Sequence, residues 1–364
     1  MSLLAKFSPG RRSDGFRSLA PCPPAMTNAA SLPPSPDESA RLAARDHAVV
    51  CDLAPLRVLA IGGADAESFL QGQLSCDVKG LRPGTCRYGS FNSPKGRMLA
   101  NFVLWRSPAG LDRFEMLLPE DVAESVAKRL RMYVLRSKVV LTDVSADTRR
   151  FGVGGPTAAV ALIAALGVAP AVHEAMQIAQ ATVLGLPGPR FVVLAASGEA
   201  EAAQARFTGH AIAAAFDVWR WLTIRAGVPI ITAATQDAFV AQVANWDILG
   251  GVDFKKGCYT GQEIIARTHY LGRLKERTFL FHADVPDVAV GERIFSAAFE
   301  AQPCGTVINA ARAPGGGFDL LAVLQIGAQE RGDARLRAPD GPLLVPLPLP
   351  YSIPAATAPR GRQS

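Results

Sequence analysis

Residues 255–263 read Lys-Lys-Gly-Cys-Tyr-Thr-Gly-Gln-Glu, and no other stretch of the chain is as informative about its fold. Thr260 and Glu263 have the spacing of a capping box, in which two side chains satisfy backbone N–H groups at the start of a helix. The apolar residues that follow continue the helical pattern. We therefore predict that a helix begins directly after Cys258 and that Gly272 ends it.

Cys258 is the candidate functional side chain of this stretch. A helix start presents the positive end of its dipole, and Lys255 and Lys256 add two cations close by in the sequence. Both effects favour the thiolate, which is the reactive form of cysteine. Gly257 permits a tight backbone approach or a positive φ angle. The alternative is an inert, buried cysteine beside an ordinary helix start.

Positive charge is concentrated around the same stretch. The whole chain has 38 Lys and Arg against 32 Asp and Glu, a net charge of +6. Such a cluster suits the carboxylates of a ligand or a phosphate backbone, although a solvated basic face is the commoner interpretation of a charge run. No aromatic RNA-binding motif accompanies it, so nucleic acid ranks low as a partner. The basic residues are Lys255, Lys256, Arg267, Arg273, Lys275 and Arg277.

Two tryptophans lie upstream, in Trp219-Arg220-Trp221. An indole ring packs well on a flat heterocycle. If this segment is a strand, alternation places both rings on one face, either over a pocket or in the core. Core packing is the commoner role for a single tryptophan.

The N-terminal half has the local patterns of an α+β unit. A turn at Ser93-Pro94-Lys95-Gly96 joins two predicted strands, Arg87–Asn92 and Arg97–Trp105. One helix is predicted over Ala66–Leu74 and an amphipathic one over Asp121–Met132.

The uncharged stretch Val153–Val172 approaches the length of a bilayer span, but glycine and proline interrupt it at both ends. We predict a strand followed by a helix that has Pro156 in its first turn and stops at Gly167. No transmembrane helix is expected.

The 364 residues are enough for two or three domains. Short strands separated by Gly and Pro turns near the C-terminus predict a small β-barrel or sandwich. The proline- and serine-rich N-terminus predicts disorder, with an Arg-rich transit peptide as the alternative to a plain extension. Taken with the resemblance described below, which implies a three-domain α+β fold, these segments are assigned to a disordered extension (1–45), a first α+β domain (46–148 plus 217–273), a second (149–216), a C-terminal β-barrel (274–350) and a tail (351–364).

The six cysteines include no Cys-x-x-Cys pair, and the five histidines are scattered. A chain of this length does not need disulfides, and isolated cysteines without a secretory signal indicate a reducing compartment. No metal site is predicted, because no local ligand spacing appears.

Together with its surroundings, the 255–263 stretch resembles the YgfZ family of the YgfZ/GcvT superfamily, whose enzymatic relative is the glycine cleavage T-protein, an aminomethyltransferase. The likeness spans roughly residues 50 to 350. It is carried by Lys256-Gly257-Cys258-Tyr259-Thr260-Gly261-Gln262-Glu263 with Ala266-Arg267, by Gly227-Val228-Pro229-Ile230, by Gln242 and Asn245 before Gly250-Gly251-Val252, and by Phe69-Leu70-Gln71-Gly72-Gln73, Asp77-Val78 and Lys95-Gly96-Arg97.

The resemblance implies a three-domain chain around a folate-sized opening, with tetrahydrofolate as cofactor. It implies a role in assembling or maintaining iron–sulfur proteins, some of which modify tRNA. Folate and iron–sulfur enzymes or assembly factors are then the partners, with tRNA linked at most indirectly and no DNA or membrane partner. Cys258 is the implied functional thiol. The implied folate-binding residues are Trp219, Tyr259, Gln262, Glu263 and Arg267, and the supporting motif residues are Lys256, Gly257, Gly261, Gln242 and Asn245.

The chain departs from these relatives at two places. A second folate-contacting tryptophan of the family aligns near Leu56, where this chain has no aromatic ring. The T-protein carries an acidic residue on the strand after the hairpin turn, where this chain has Ala100 and Asn101, and neither accepts a proton as a carboxylate does. T-protein activity is therefore not expected, and a folate-dependent one-carbon transferase and an RNA-binding or scaffold protein are the alternatives. The expected location is the cytoplasm, with the mitochondrial matrix as the alternative because the family has mitochondrial members.

Overall fold

Three β-sheets with helices packed against them form the α+β architecture of the chain. The computed structural model describes residues 36–107, 112–178, 180–270, 272 and 274–354. The N-terminal elements are α1 (Pro36–Asp46), β1 (Val49–Asp52), β2 (Leu56–Gly62), α2 (Ala66–Gln73), β3 (Cys86–Asn92), β4 (Met98–Arg106), β5 (Arg113–Pro119), α3 (Glu120–Val134) and β6 (Val140–Asp143).

The first sheet has the strand order β3-β4-β5-β2-β6, and its pairs are antiparallel. The hairpin of β3 and β4 confirms the prediction around Ser93, whose N–H donates to the Arg97 carbonyl at 2.8 Å. The two predicted helices are confirmed as α2 and α3. In α3, Val122, Val126 and Leu130 recur one turn apart and are buried in the core of this sheet, as an amphipathic helix requires.

The second sheet has the order β11-β1-β7-β10-β9-β8, and only its β1–β11 pair is parallel. Its β1 comes from within the predicted 46–148 segment, although the domain boundaries themselves stay a prediction. The middle elements of the chain are β7 (Thr148–Gly154), α4 (Ala158–Leu166), β8 (Ala175–Ile178), β9 (Ala181–Leu186), β10 (Arg190–Ala196), α5 (Ala200–Ala205), β11 (Ile212–Ala214) and α6 (Phe216–Arg225).

The strand and the helix predicted for the uncharged stretch are confirmed as β7 and α4, but the prediction that Pro156 lies in the first turn is wrong, because α4 begins at Ala158 after its N-cap Thr157. Gly167 ends α4 in the left-handed region, with φ of 84°, where a glycine carries no steric penalty. Within the described ranges, no helix combines the length and the apolar composition that crossing a bilayer requires.

The third sheet is antiparallel, with the order β16-β13-β14-β15-β12-β17, and it forms the curled C-terminal part of the α+β fold. This sheet has a core of its own that is rich in aliphatic residues, and Leu280, Ile308 and Leu321 pack into the core that it shares with the other sheets. The C-terminal elements are α7 (Gln262–Tyr270), β12 (Glu276–Ala283), β13 (Arg293–Phe295), β14 (Gly305–Arg312), β15 (Phe318–Gln325), α8 (Ile326–Arg331), β16 (Arg335–Leu336) and β17 (Val345–Leu347).

The predicted disorder of residues 1–45 is wrong for the end of that segment, because α1 begins at Pro36. The signal was present: Ser35 and Glu38 have capping-box spacing, and proline is favoured in the first turn of a helix. Three buried alanines, Ala40, Ala43 and Ala44, hold the helix to the rest of the chain. The remainder of the prediction, residues 1–35, lies outside the described residues.

The predicted tail, residues 351–364, begins with an anchored residue. The hydroxyl of Tyr351 donates to the Gly227 carbonyl at 2.6 Å and accepts from the Asn245 side chain at 3.3 Å. Burial raises the pKa of Tyr351 to about 12. The first part of the tail is therefore packed on the chain, and residues 355–364 lie outside the described residues.

Candidate functional site

A cavity of about 700 Å³ is lined by residues from all three sheets. Its size is typical of small-molecule sites, which are concave and largely apolar with a few polar groups. The lining residues on which the following argument depends are Leu56, Tyr88, Asn101, Arg190, Trp219, Arg220, Thr223, Trp246 and Asn309.

The two tryptophans of α6 face different cavities. Trp219 lines the large cavity, whereas Trp221 lines a second one of about 460 Å³ and donates from its indole N–H to Asp319 at 2.8 Å. The strand alternation considered for this segment is wrong, since residues two apart on a helix are about 200° apart around its axis. Six of the ten residues of α6 are buried, so the helix shows no clear periodicity in the sequence.

The ring of Trp219 lies against the backbone of β7. A methyl group at Gly152 would be only 2.4 Å from Cε3 of the ring, which shows how closely the indole approaches the strand. On the cavity side, the guanidinium carbon of Arg190 lies 5.5 Å from the ring centroid. Trp219 is 5% exposed, so both contacts fix its position in the wall.

Leu56 contributes no aromatic ring, but four aromatic residues line the cavity in addition to Trp219: Tyr88, Phe102, Phe216 and Trp246. Leu56 does line the cavity, as its alignment with a folate-contacting tryptophan suggested. Tyr88 and Trp246 line it as well, and their ring centroids are 5.0 Å apart. These two residues lie far apart in the sequence, so no local motif pointed to them.

Asn101 occupies the wall as a fixed amide. Its Nδ2 donates to the Pro229 carbonyl at 2.7 Å, and its Oδ1 accepts from the Ile231 N–H at 2.9 Å. Both ends of the side chain are thus used by the backbone. At this position the cavity has no carboxylate that would accept a proton.

Arg190 brings a buried positive charge to the cavity. It is 2% exposed, and it donates to the Pro187 carbonyl, the Thr223 hydroxyl at 2.8 Å and the Tyr88 hydroxyl at 3.4 Å. Burial lowers the pKa of this guanidinium. Among the described residues, no carboxylate lies within ion-pair distance of it.

The other charged side chains of the cavity are partly exposed. Arg220 pairs with Asp217 at 3.3 Å and donates to the Ala310 carbonyl at 2.8 Å. Glu120 pairs with Arg57, and the side chains of both residues are more than one third exposed. Arg220 and Glu120 therefore lie at the solvent-facing mouth of the cavity, and Arg190 lies in its interior.

The motif at 255–263 does not line this cavity. None of Cys258, Tyr259, Gln262, Glu263 and Arg267 is a lining residue in the part of the chain that the structure describes. Cys258 is exposed, as are Glu263 and Arg267, whereas Gln262 is half-buried and Tyr259 is buried. The other cysteines that the structure describes are all buried: Cys51, Cys76, Cys86 and Cys304.

Lys256 fastens this segment to α2. Its ammonium donates to the Gln71 carbonyl at 2.7 Å, to the Cys76 carbonyl at 2.9 Å and to the Leu74 carbonyl. These carbonyls lie at and after the C-terminus of α2, where a cation is favourable. The ammonium also lies 4.9 Å from the centroid of Tyr259. Burial lowers the pKa of Lys256 to about 8, so its role is structural rather than that of a free surface cation.

Gly261 joins the segment to the hairpin turn of the first sheet. Its φ is 83°, and a Cβ there would lie 2.5 Å from the Ser93 carbonyl oxygen. The helix α7 begins after it, at Gln262, so Thr260 is not the N-cap and the predicted capping box is wrong. The Thr260 hydroxyl instead contacts Gln73 at 3.5 Å. The special role predicted for Gly257 is not seen either, since a Cβ there would meet nothing within 4 Å.

Gln242 and Asn245 hold the same region from the other side. The Gln242 amide donates to the Ile265 carbonyl of α7 at 2.6 Å, and the Asn245 amide donates to the Thr278 carbonyl of β12 at 2.7 Å. Asn245 has a φ of 57°, a conformation that asparagine tolerates better than most residues. Gln242 therefore holds α7, which belongs to the motif, and Asn245 holds β12; the supporting role that the resemblance implies for both residues stays a prediction.

The predicted basic cluster is divided among different roles. Lys256 is tied to α2, and Arg277 is buried and pairs with Asp247 at 2.6 Å. Arg267 is exposed and Lys255 likewise. Arg273 lies outside the described residues. The cluster is thus not one continuous basic face.

Comparisons with known proteins show which families the chain is similar to. The GCVT N-terminal domain family matches residues 37–199. The chain is similar to the tRNA-modifying protein YgfZ of Sodalis glossinidius strain morsitans, with 30% identity over 81% of this chain and 90% of that protein. It is 31% identical to the protein of the same name from Yersinia pestis strain Pestoides F, again over 81% of this chain and 90% of that protein.

A solved structure is similar in fold at much lower identity. The glycine cleavage system aminomethyltransferase T from Bartonella henselae matches with a TM-score of 0.64 and 16% identity, covering 86% of this chain and 88% of that one. The three-domain α+β fold predicted from the resemblance is confirmed by this match. The level of identity to its curated relatives, over most of both chains, establishes that the chain belongs to the YgfZ family.

Proposed function

We propose that the chain binds tetrahydrofolate in the large cavity and supports the assembly or maintenance of iron–sulfur enzymes, including enzymes that modify tRNA. The observation that carries the folate proposal is the cavity of about 700 Å³ with Trp219, Trp246 and Tyr88 in its walls. Flat aromatic walls suit the pterin and aminobenzoyl rings. The donors of Arg190 in the interior suit a ligand whose flat head carries hydrogen-bond acceptors.

This assignment moves folate away from the motif at 255–263. The predicted contacts of Tyr259, Gln262, Glu263 and Arg267 with folate are not needed for it, because those side chains lie off the cavity. Trp219 keeps its predicted role. When bound, folate would supply one-carbon chemistry, and the residues of this chain would bind and orient it and exclude water from its rings.

Calorimetric titration with tetrahydrofolate tests the proposal. We expect the Trp219→Ala variant to bind at least about tenfold more weakly, since a large aromatic contact is removed. Trp221→Ala is the matched control, because it truncates the same residue type on the same helix but lines the second cavity. Equal affinity of the wild-type protein and both variants contradicts the cavity assignment.

Cys258 is the residue that we propose for the iron–sulfur role. Its exposure leaves the thiol free to act on a partner, whereas burial raises the pKa of Cys51 and Cys86 to about 12. We expect Cys258→Ser to fold normally and to lower the activity of iron–sulfur enzymes in cells that depend on this protein. Cys304→Ser, at a buried thiol, is the control. Unchanged enzyme activity in the Cys258→Ser cells contradicts the thiol role.

The alternative of a one-carbon transferase is less well supported, because Asn101 holds the position where a carboxylate is expected. A turnover assay with an aminomethyl donor tests it directly. The curated relatives are bacterial, which favours the cytoplasm over the mitochondrial matrix as the proposed location.

A further inference from the structure

Arg190 is a buried cation whose counter-charge is missing among the described residues. Arg190 is 2% exposed, and the acceptors of its guanidinium among the described residues are a backbone carbonyl and two hydroxyls, all neutral. Arginine stays charged in proteins, and burying such a charge without a partner is costly. A second buried arginine, Arg150, donates to the Ser145, Thr148 and Ala54 carbonyls and lines neither cavity.

The guanidinium also has a donor to spare, and Arg190 lines both cavities, whereas its partners Tyr88 and Thr223 line the large cavity alone. Arginine carries five N–H groups. Nε donates to the Pro187 carbonyl, Nη2 donates to that carbonyl and to the Tyr88 hydroxyl, and Nη1 donates only to the Thr223 hydroxyl. One N–H of Nη1 is thus without an acceptor among the described residues, and the contact to Tyr88, at 3.4 Å, is long.

The position of Arg190 determines which part of a ligand can reach it. The charged groups at the mouth, Arg220 and Glu120, have side chains that are 46% and 50% exposed, whereas Arg190 is nearly inaccessible to solvent. A charged tail keeps its hydration when it stays at the mouth. A planar, uncharged head loses less hydration free energy than a charged tail would on entering an aromatic cavity. The interior cation therefore meets the head of the ligand.

We propose that Arg190 recognises an acceptor oxygen on the planar head of the ligand, namely the ring carbonyl of the pterin if the proposed folate function is correct. This inference rests on that function, and it adds which part of the folate molecule is bound in the interior of the cavity. Trp219 stacks on one side of the guanidinium, and the hydroxyls of Thr223 and Tyr88 hold its plane. Arg190 is in this sense a specificity residue for ligands with a carbonyl on the ring.

Calorimetry with two probes tests the inference: tetrahydrofolate and 6-methyltetrahydropterin, which has the same ring and no tail. We expect Arg190→Met to weaken the binding of both probes by about tenfold or more, because a charge-assisted hydrogen bond in the interior is lost. Arg190→Lys keeps the cation without the planar fork, so we expect a smaller loss. Arg150→Met is the matched control, since it also removes a buried arginine but lies off the cavity, and its affinity for both probes should be unchanged.

The outcomes separate the two proposals. If the wild-type protein binds tetrahydrofolate and Arg190→Met binds both probes equally well, the inference is overturned and the folate function stands. If Arg190→Met loses affinity for tetrahydrofolate but not for 6-methyltetrahydropterin, the guanidinium binds the tail of folate, and the proposal that it binds the pterin head is wrong. If the wild-type protein binds neither probe, both proposals fail. Thermal unfolding of each variant is measured alongside, and Arg190→Lys decides the question if Arg190→Met does not fold.

Discussion

At the scale of single residues, the absence of a side chain at Gly152 is as important as the ring it faces. The strand β7 can approach Trp219 only because residue 152 has no Cβ. A Cβ there would lie 2.4 Å from Cε3 of the ring. The position of the indole, and with it one wall of the cavity, therefore depends on a glycine in a strand, where glycine is otherwise unfavourable.

We expect Gly152→Ala to lower the free energy of unfolding by about 1–3 kcal/mol, since the ring or the strand must move to admit the methyl group. Affinity for tetrahydrofolate should fall in the same variant. Urea unfolding and calorimetry measure the two effects. Gly198→Ala is the control, because a Cβ there meets nothing within 4 Å. Equal stability of Gly152→Ala and Gly198→Ala would show that the contact is not tight.

At the scale of elements, the segment that carries Cys258 is held by the ends of other elements. Lys256 caps α2, Gly261 fits the turn between β3 and β4, and Gln242 reaches α7. Two motifs that lie far apart in the sequence, at 95–97 and 255–263, thus meet in one place. These contacts fix the position of the segment that carries the exposed Cys258.

The pH dependence of stability reports on the α2 cap. Burial lowers the pKa of Lys256 from 10.5 to about 8, so between these values the unfolded chain holds a proton that the folded chain has lost. Through this lysine, the free energy of unfolding therefore rises with pH in that window, and below about pH 8 the cost of burying the ammonium is fully present.

We expect the stability difference between the wild-type protein and Lys256→Met to be larger at about pH 9 than at about pH 7.5, because only the wild-type protein has this titration. Urea unfolding at both pH values measures it. Lys255→Met, which alters an exposed neighbour, should show no such change. A difference that is constant with pH contradicts the lowered pKa.

The elements also show which parts of the fold a sequence can predict. The hairpin at 87–105 and the helices α2 and α3 follow local rules of turn chemistry and periodicity, so their positions were predictable within a few residues. Helix α6 was not, because it is buried on most of its surface and therefore shows no polar face.

The candidate site was predictable only in part for a related reason. Trp219 could be identified from its motif, but Arg190 and Tyr88 are 102 residues apart and meet only in the folded chain. The capping box failed because Gly261 takes a left-handed conformation to fit the hairpin turn, which is a tertiary contact that the sequence spacing does not reveal.

At the scale of the whole molecule, the C-terminal segment ties the parts of the chain together. Tyr351 follows the third sheet and reaches Gly227 after α6 and Asn245 beside the motif. We expect Tyr351→Phe to lower the free energy of unfolding by about 0.5–1.5 kcal/mol, the usual contribution of one hydrogen bond. Chemical unfolding measures it, with Tyr133→Phe at an exposed tyrosine as the control. Equal losses in the two variants would contradict the anchoring role.

The three carbonyls that receive the Lys256 ammonium lie between 180 and 185 residues earlier in the chain. A ribosome makes the N-terminal part first, and folding tends to follow that order. The residues that carry these three carbonyls are consequently synthesised long before Cys258 leaves the ribosome. Lys256 therefore docks on carbonyls that have already been made, and the segment that carries Cys258 can take this position only after α2 has formed.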